Sequence, residues 1–230
     1  MGLRINTNVA AINASRTLRR STTSLNKSLE KLSSGLRINR AADDAAGLAI
    51  AEGFRSIVRG TQVAQRNAQD GISLVQTAEG SLSETTNILQ RIRELAVQSA
   101  NGTQSTSNRQ AIQSEVSQLI AQIDDISTDT EFNGIRVLSV NQTVTLQAGA
   151  QASQTLAITM GGARSADLAV SALSVSSAVQ ATSAISTLDL ALRSVNSLRS
   201  TLGAFQNRLE FSINTLAIQE ENSSASESAI

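Results

Sequence analysis

The chain has 230 residues, enough for one large domain or two small ones, and carries 19 basic and 19 acidic residues, so its net charge is zero. It contains no Cys, His, Trp, Tyr or Pro, and its only aromatic residues are Phe54, Phe132, Phe205 and Phe211. These absences exclude the commonest general base, the thiol nucleophile, disulfides and nearly all zinc sites, and they point to thin helical layers of Leu, Ile, Val and Ala.

At the N-terminus, Met-Gly-Leu-Arg-Ile-Asn-Thr-Asn lacks the apolar segment of a cleaved secretory signal. Asn6 stands where a myristoylation site requires Ser or Thr. No stretch approaches the ~20 apolar residues of a membrane span, so no membrane insertion is expected. Residues 3–36 read as helix, with apolar positions Leu3, Ile5, Val9, Ile12, Leu18, Leu25, Leu29, Leu32 and Leu36 and a phase break near Arg16 to Arg20. Gly35 is the expected stop. The stripe needs a partner, because an isolated helix in water is marginal.

Residues 36–45 read as a connector. Asp43 or Asp44 is expected to cap the following helix. A catalytic or metal role for this carboxylate pair is disfavoured, since neighbouring helical side chains diverge and no third ligand lies near. Residues 45–100 form the second helix, in which Val75, Leu82, Leu89 and Ala96 fall seven apart, with Ile72, Ala78 and Ile92 between. This is a heptad seam. After the Asn101-Gly102-Thr103 turn, residues 107–128 form a third helix, with Ile112, Val116, Leu119, Ile123 and Ile126 stepping by four and three. Two such helices joined by a short link make an antiparallel hairpin.

The period then changes. Residues 143–147 and 155–159 alternate and predict a β-hairpin about 143–159. Residues 161–177 are low in complexity and read as loop or short irregular structure. Residues 178–223 return to helix on Ile185, Leu188, Leu192, Val195, Leu198, Leu202, Phe205, Leu209, Ile213 and Leu216, and should pack on residues 45–128. Gly203 weakens this helix by about 1 kcal/mol against Ala, and suggests close helix approach. The expected fold is mainly α, an elongated antiparallel helical bundle or coiled coil with a small β-hairpin region.

Charge is unevenly spread. Residues 1–60 hold ten Lys/Arg and four Asp/Glu, the remainder nine and fifteen, giving +6 and −6. Either two faces are differently solvated, or opposite ends of neighbouring copies attract. Nucleic-acid binding is not expected, because no aromatic residues interleave with the basic ones. Gly161-Gly162 lacks the Lys-Ser/Thr of a phosphate loop, and no nucleophile–base pair is visible, so neither an enzyme nor a cofactor is expected. The five Asn-x-Ser/Thr sequons, Asn101 among them, carry little weight.

Taken together, the motifs resemble bacterial flagellin. They are Ile5-Asn6-Thr7-Asn8, then Leu32-Ser33-Ser34-Gly35-Leu36-Arg37-Ile38-Asn39 followed by Asp43-Asp44-Ala45-Ala46-Gly47. Next come Asn67-Ala68-Gln69-Asp70-Gly71-Ile72-Ser73 and Leu89-Gln90-Arg91-Ile92-Arg93-Glu94-Leu95-Ala96-Val97-Gln98. Phe132-Asn133-Gly134 precedes the hairpin, and Leu202-Gly203-Ala204-Phe205-Gln206-Asn207-Arg208-Leu209 resembles the C-terminal signature. Six motifs in the family's order make the resemblance specific. Two departures stand out: the gap between hairpin and last helix is short, as in a core-only member, and the family's terminal helix that pairs with the N-terminal one is not found. A fragment is therefore expected.

The resemblance implies a structural subunit that self-polymerises into the flagellar filament for motility. It also implies three domains: an assembly segment (1–44), a rod-like core (45–223) and the start of a missing C-terminal assembly segment (224–230). Ile5, Val9, Ile12, Leu18, Leu25, Leu29 and Leu32 are the expected assembly contacts, and residues 1–36 are expected to be mobile in the free monomer. Implied partners are other flagellin subunits, the flagellar export apparatus, a secretion chaperone and the filament cap, with secretion to the extracellular flagellum. Recognition by the vertebrate Toll-like receptor for flagellin is implied for Gln90, Arg91, Leu95 and Glu115, with Arg91 and Leu95 on one surface at i and i+4. The ordinary alternative is that Arg91 and Glu115 are interhelical or filament contacts. A hook–filament junction protein and a non-filamentous coiled-coil adaptor are the competing functions.

Overall fold

The computed structural model describes residues 8–230. The elements run α1 (Val9–Ser34), α2 (Ala45–Ala100), α3 (Thr106–Asp129), β1 (Glu131–Phe132), β2 (Ile135–Arg136), β3 (Gln142–Gln147), β4 (Thr155–Met160) and α4 (Ala178–Ala229). The expected mainly α fold with a small hairpin is found. Contacts divide the chain into two compact units, one ending at Val58 and resuming over Glu220–Ile230, the other spanning Arg59–Gln219.

The core lies in the second unit. On α2, Val75, Leu82, Leu89 and Ala96 are all fully buried, as the seven-residue spacing predicts. On α4, Leu188, Val195, Leu202, Leu209 and Leu216 repeat the same spacing and are buried too. Arg93 pairs with Asp189 at 2.8 Å and Arg199 reaches Glu79 at 3.6 Å, so higher α4 numbers meet lower α2 numbers. The two helices are therefore antiparallel here. On α3 the buried stripe is Ile112, Val116, Ile120, Ile123 and Ser127, while Leu119 and Ile126 stand half-buried at its edge. The expected stripe is displaced by one residue at two of its five positions.

The long hairpin forms in the expected place. β3 and β4 pair antiparallel with Gln142 opposite Met160 and Gln147 opposite Thr155. Leu156, Ile158 and Met160 turn inward and their neighbours outward, following the pleat. Gly71 lets the hairpin seat against α2, because a Cβ there would collide with Leu146. A second, smaller hairpin was not foreseen. Asn133 (φ 50°) and Gly134 (φ 77°) form a two-residue turn between β1 and β2. Two consecutive positive φ values are what an Asn-Gly hairpin turn requires.

Residues 161–177 lack regular structure but are not a solvated loop. Ala163, Leu168, Val170 and Val175 are buried in the core. Three side chains from the helices hold this segment. Asp124 accepts from the Ser165 amide (2.8 Å) and hydroxyl (2.7 Å), the Val175 amide donates to Gln113 Oε1 (2.6 Å), and Ser99 Oγ donates to the Val175 carbonyl (2.5 Å). Buried backbone groups outside helices and sheets need such partners.

Gly203 corrects one expectation. A Cβ added there would meet nothing within 4 Å, so this glycine does not mark close helix packing within the chain. Residues 224–229 are also helical, and α4 continues to Ala229 instead of ending near 223. Ser226 Oγ donates to the Asn222 carbonyl at 2.8 Å within the helix, and Glu227 pairs with Arg55 at 3.0 Å.

Candidate functional site

The first surface is α1. The Asn8 side chain accepts from the Ala11 amide and caps its start, and Gly35 at φ 69° ends it with its amide donating to Lys31 O. The helix is thus well terminated by its own sequence. No α1 residue is buried. Val9, Ile12, Leu18, Leu25, Leu29 and Leu32 are between 49% and 81% exposed. Leu18, Leu25, Leu29 and Leu32 follow steps of seven, four and three and so share one side of the helix, while Val9 and Ile12 lie on another. The phase break at Arg16 to Arg20 separates them. Ile5 lies outside the described residues.

The connector is held to α1 by charge. Lys27 Nζ lies 2.6 Å from Asp43, whose side chain is nearly buried, and Glu30 accepts from Arg40 Nε (2.7 Å) and Asn39 Nδ2 (2.8 Å). The hydrogen bond from Lys27 holds the Asp43 carboxyl below the usual carboxylate range. Asp44 alone caps α2, accepting from the Gly47 amide at 2.9 Å. The two adjacent carboxylates therefore take separate structural roles. Among the described residues no group of three or more His, Cys, Asp or Glu could hold a metal ion. Gly47 is needed here, since a Cβ would stand 2.6 Å from both Asp44 and Ile38.

The second surface lies where α2 faces α3. Arg91 Nη2 is 2.9 Å from Glu115 Oε1, and Arg91 Nη1 is 3.1 Å from Glu94. The Glu115 carboxylate, followed by Glu94, raises the Arg91 pKa further and keeps the guanidinium charged. All three side chains are about half exposed or more, and Gln90 is exposed beside them. Leu95 is not. It is 2% exposed and belongs to the core cluster, so the expectation that Arg91 and Leu95 share an exposed face is wrong. Position 95 follows buried Ile92 by three residues and precedes buried Ser99 by four, which places it on the inner side of α2.

This order of elements has known counterparts. The family description "Bacterial flagellin N-terminal helical region" matches residues 5–143, and "Bacterial flagellin C-terminal helical region" matches residues 185–230. The chain belongs to the flagellin family. Flagellins are structural proteins of the bacterial flagellar filament, not enzymes, and this flagellin is a filament subunit. It is 45% identical to the flagellar filament 33 kDa core protein of Treponema phagedenis, over 98% of this chain and 85% of that one. It is 44% identical to a flagellin of Bacillus subtilis (strain 168), over 99% and 86%. Its fold is similar to the crystal structure of Bacillus cereus flagellin with a TM-score of 0.57 at 31% identity, covering 66% of this chain and 88% of that one. Among the described residues no helix is long and apolar enough to cross a membrane.

Two features that matter for these surfaces escaped the sequence reading. The clamp of Asp124, Gln113 and Ser99 on residues 161–177 carries no local spacing signal, because its partners lie 41 to 76 residues away. The exposure of Phe211 was equally hidden, although it stands two residues from buried Leu209 and so on a different side of α4.

Proposed function

We propose that this flagellin self-polymerises by covering the apolar sides of α1 against neighbouring copies. The supporting observation is that α1 has no buried residue while its large aliphatic side chains stand mostly in solvent. Covering each one fully contributes about 1.5–3 kcal/mol before the entropy of ordering is set against it. On this reading residues 1–44 are the assembly segment and 45–223 the core. Subunits travel unfolded through the flagellar export apparatus with a secretion chaperone and join the filament outside the cell beneath its cap. A chain without cysteine cannot be trapped by disulfides on that route, which is compatible with threading. The test is seeded polymerisation followed by light scattering and electron microscopy. Leu18→Asp or Leu25→Asp should abolish elongation while leaving the second unit folded. Filaments forming at the normal rate from both variants would refute the proposal.

A second reading rests on the Arg91–Glu115 pair. We propose that the vertebrate Toll-like receptor for flagellin docks on the exposed Gln90, Arg91 and Glu115, with an Arg as anchor. Leu95 contributes by fixing α2 from the inside, since its side chain is buried. Arg91→Ala should lower the response to monomer by roughly tenfold or more with helix content unchanged. An undiminished response would remove this reading.

A further inference from the structure

Along α4, one apolar row turns away from the core of its own unit. Phe211 is 72% exposed and Ile218 is exposed as well, with exposed Thr215 between them. Steps of four and three put the three side chains on one stripe. An aromatic ring left in water is a large uncovered apolar area, and this chain has only four aromatic residues. Beside the stripe stands Arg208, its guanidinium carbon 5.7 Å from the Phe205 ring centre. Arg208 makes no ion pair with any described residue.

Elsewhere in the same unit, α2 and α3 border a shallow, open cleft of about 390 Å³. Ile126 and Gly80 supply its apolar part, and Gly80 leaves one wall open, since an added Cβ would meet nothing within 4 Å. Glu84, Asp125 and Asp129 line it as well, and none of them is ion-paired with a described residue. The cleft therefore suits an apolar side chain accompanied by a cation. Phe211 and Arg208 are such a pair.

We propose that the Phe211–Ile218 stripe with Arg208 docks into the α2–α3 cleft of a second copy of this chain. The two surfaces are different patches, so the contact is heterologous. Each added subunit leaves one patch of each kind free, so the contact does not stop at a closed pair, and it propagates as a filament wherever the rotation between copies does not close a ring. Charge complementarity selects a second copy as the occupant. The unpaired cation on one patch faces unpaired carboxylates on the other, and the chain as a whole is neutral. The inference rests on the self-assembly reading above and gives it a second surface, separate from α1.

The absence of native cysteine makes a direct test possible. Full chains carrying Gln122→Cys and Thr215→Cys, both exposed polar positions lining the two patches, are mixed, polymerised and treated with a short bismaleimide. The expected product is a covalent pair joining one variant to the other. Filaments without that pair, or with pairs formed only between identical variants, would overturn this contact and leave self-assembly through α1 standing. A wild-type chain that never elongates would overturn both. In parallel, Arg208→Glu should slow elongation about tenfold, and adding Asp125→Lys and Asp129→Lys should restore it to within about threefold of wild type. Elongation unaffected by Arg208→Glu, or no recovery in the combined variant, would contradict the proposal.

Discussion

α1 and the middle of α2 carry the same kind of apolar repeat and meet opposite fates. On α2, Val75, Leu82, Leu89 and Ala96 are wholly buried against α3, the hairpin and α4. On α1, Leu18, Leu25 and Leu32 are spaced identically and none is buried. Periodicity fixes which residues share a side of a helix, and only a partner decides whether that side is dry. In this flagellin α2 finds its partners among the described residues, and α1 does not.

Truncating a side chain in each repeat should give the widest separation. Leu89→Ala or Ile123→Ala should lower stability by about 2–5 kcal/mol in urea unfolding, since both side chains are fully enclosed. Leu25→Ala should change monomer stability by about 0.5 kcal/mol or less and show its effect in polymerisation. Comparable losses at both sites would break the contrast. The tightness of the second unit gives the next largest effect. Gly71→Ala should cost about 1–3 kcal/mol, because its Cβ would overlap Leu146 of β3. Gly203→Ala should do the reverse and stabilise α4 by about 1 kcal/mol, since nothing opposes the new methyl group.

The smallest expected effect concerns the connector. Asp43 titrates below its ordinary value of about 3.9 because Lys27 holds it charged. A depressed carboxylate contributes stability that is complete above the ordinary value and disappears as pH falls through the folded value. The tie between α1 and the connector should thus persist at neutral pH and be lost below pH ~4, as the pH falls through the lowered Asp43 value. An NMR titration of the Asp43 carboxyl should show a midpoint under about 3.9, and Lys27→Ala should move it back up.

Much of this was legible because helices advertise themselves. Gly35 marked the end of α1, the heptad seam of α2 and the steps of three and four along α4 marked their buried sides, and alternation marked β3 and β4. The flagellin resemblance rested on motifs spread along the chain, and the family match bore it out. What stayed hidden depended on long-range contacts. Nothing local says that residues 161–177 are pinned by Asp124, Gln113 and Ser99. Leu95 belonged to an attractive surface motif and sits four residues from exposed Arg91 and three from buried Ile92, so spacing alone left it at the boundary between the two sides of α2. The Asn133-Gly134 turn was readable, since that dipeptide between short extended runs is itself a hairpin signal.

The central claim is that α1 is bare in the free subunit and covered in the assembly. Amide hydrogen exchange compared between dilute monomer and filament tests it most directly. The account predicts rapid exchange across residues 9–34 in the monomer, against slow exchange in α2 from 75 to 96, and strong protection of both in the filament. Strong protection of residues 9–34 already present in dilute monomer would contradict it.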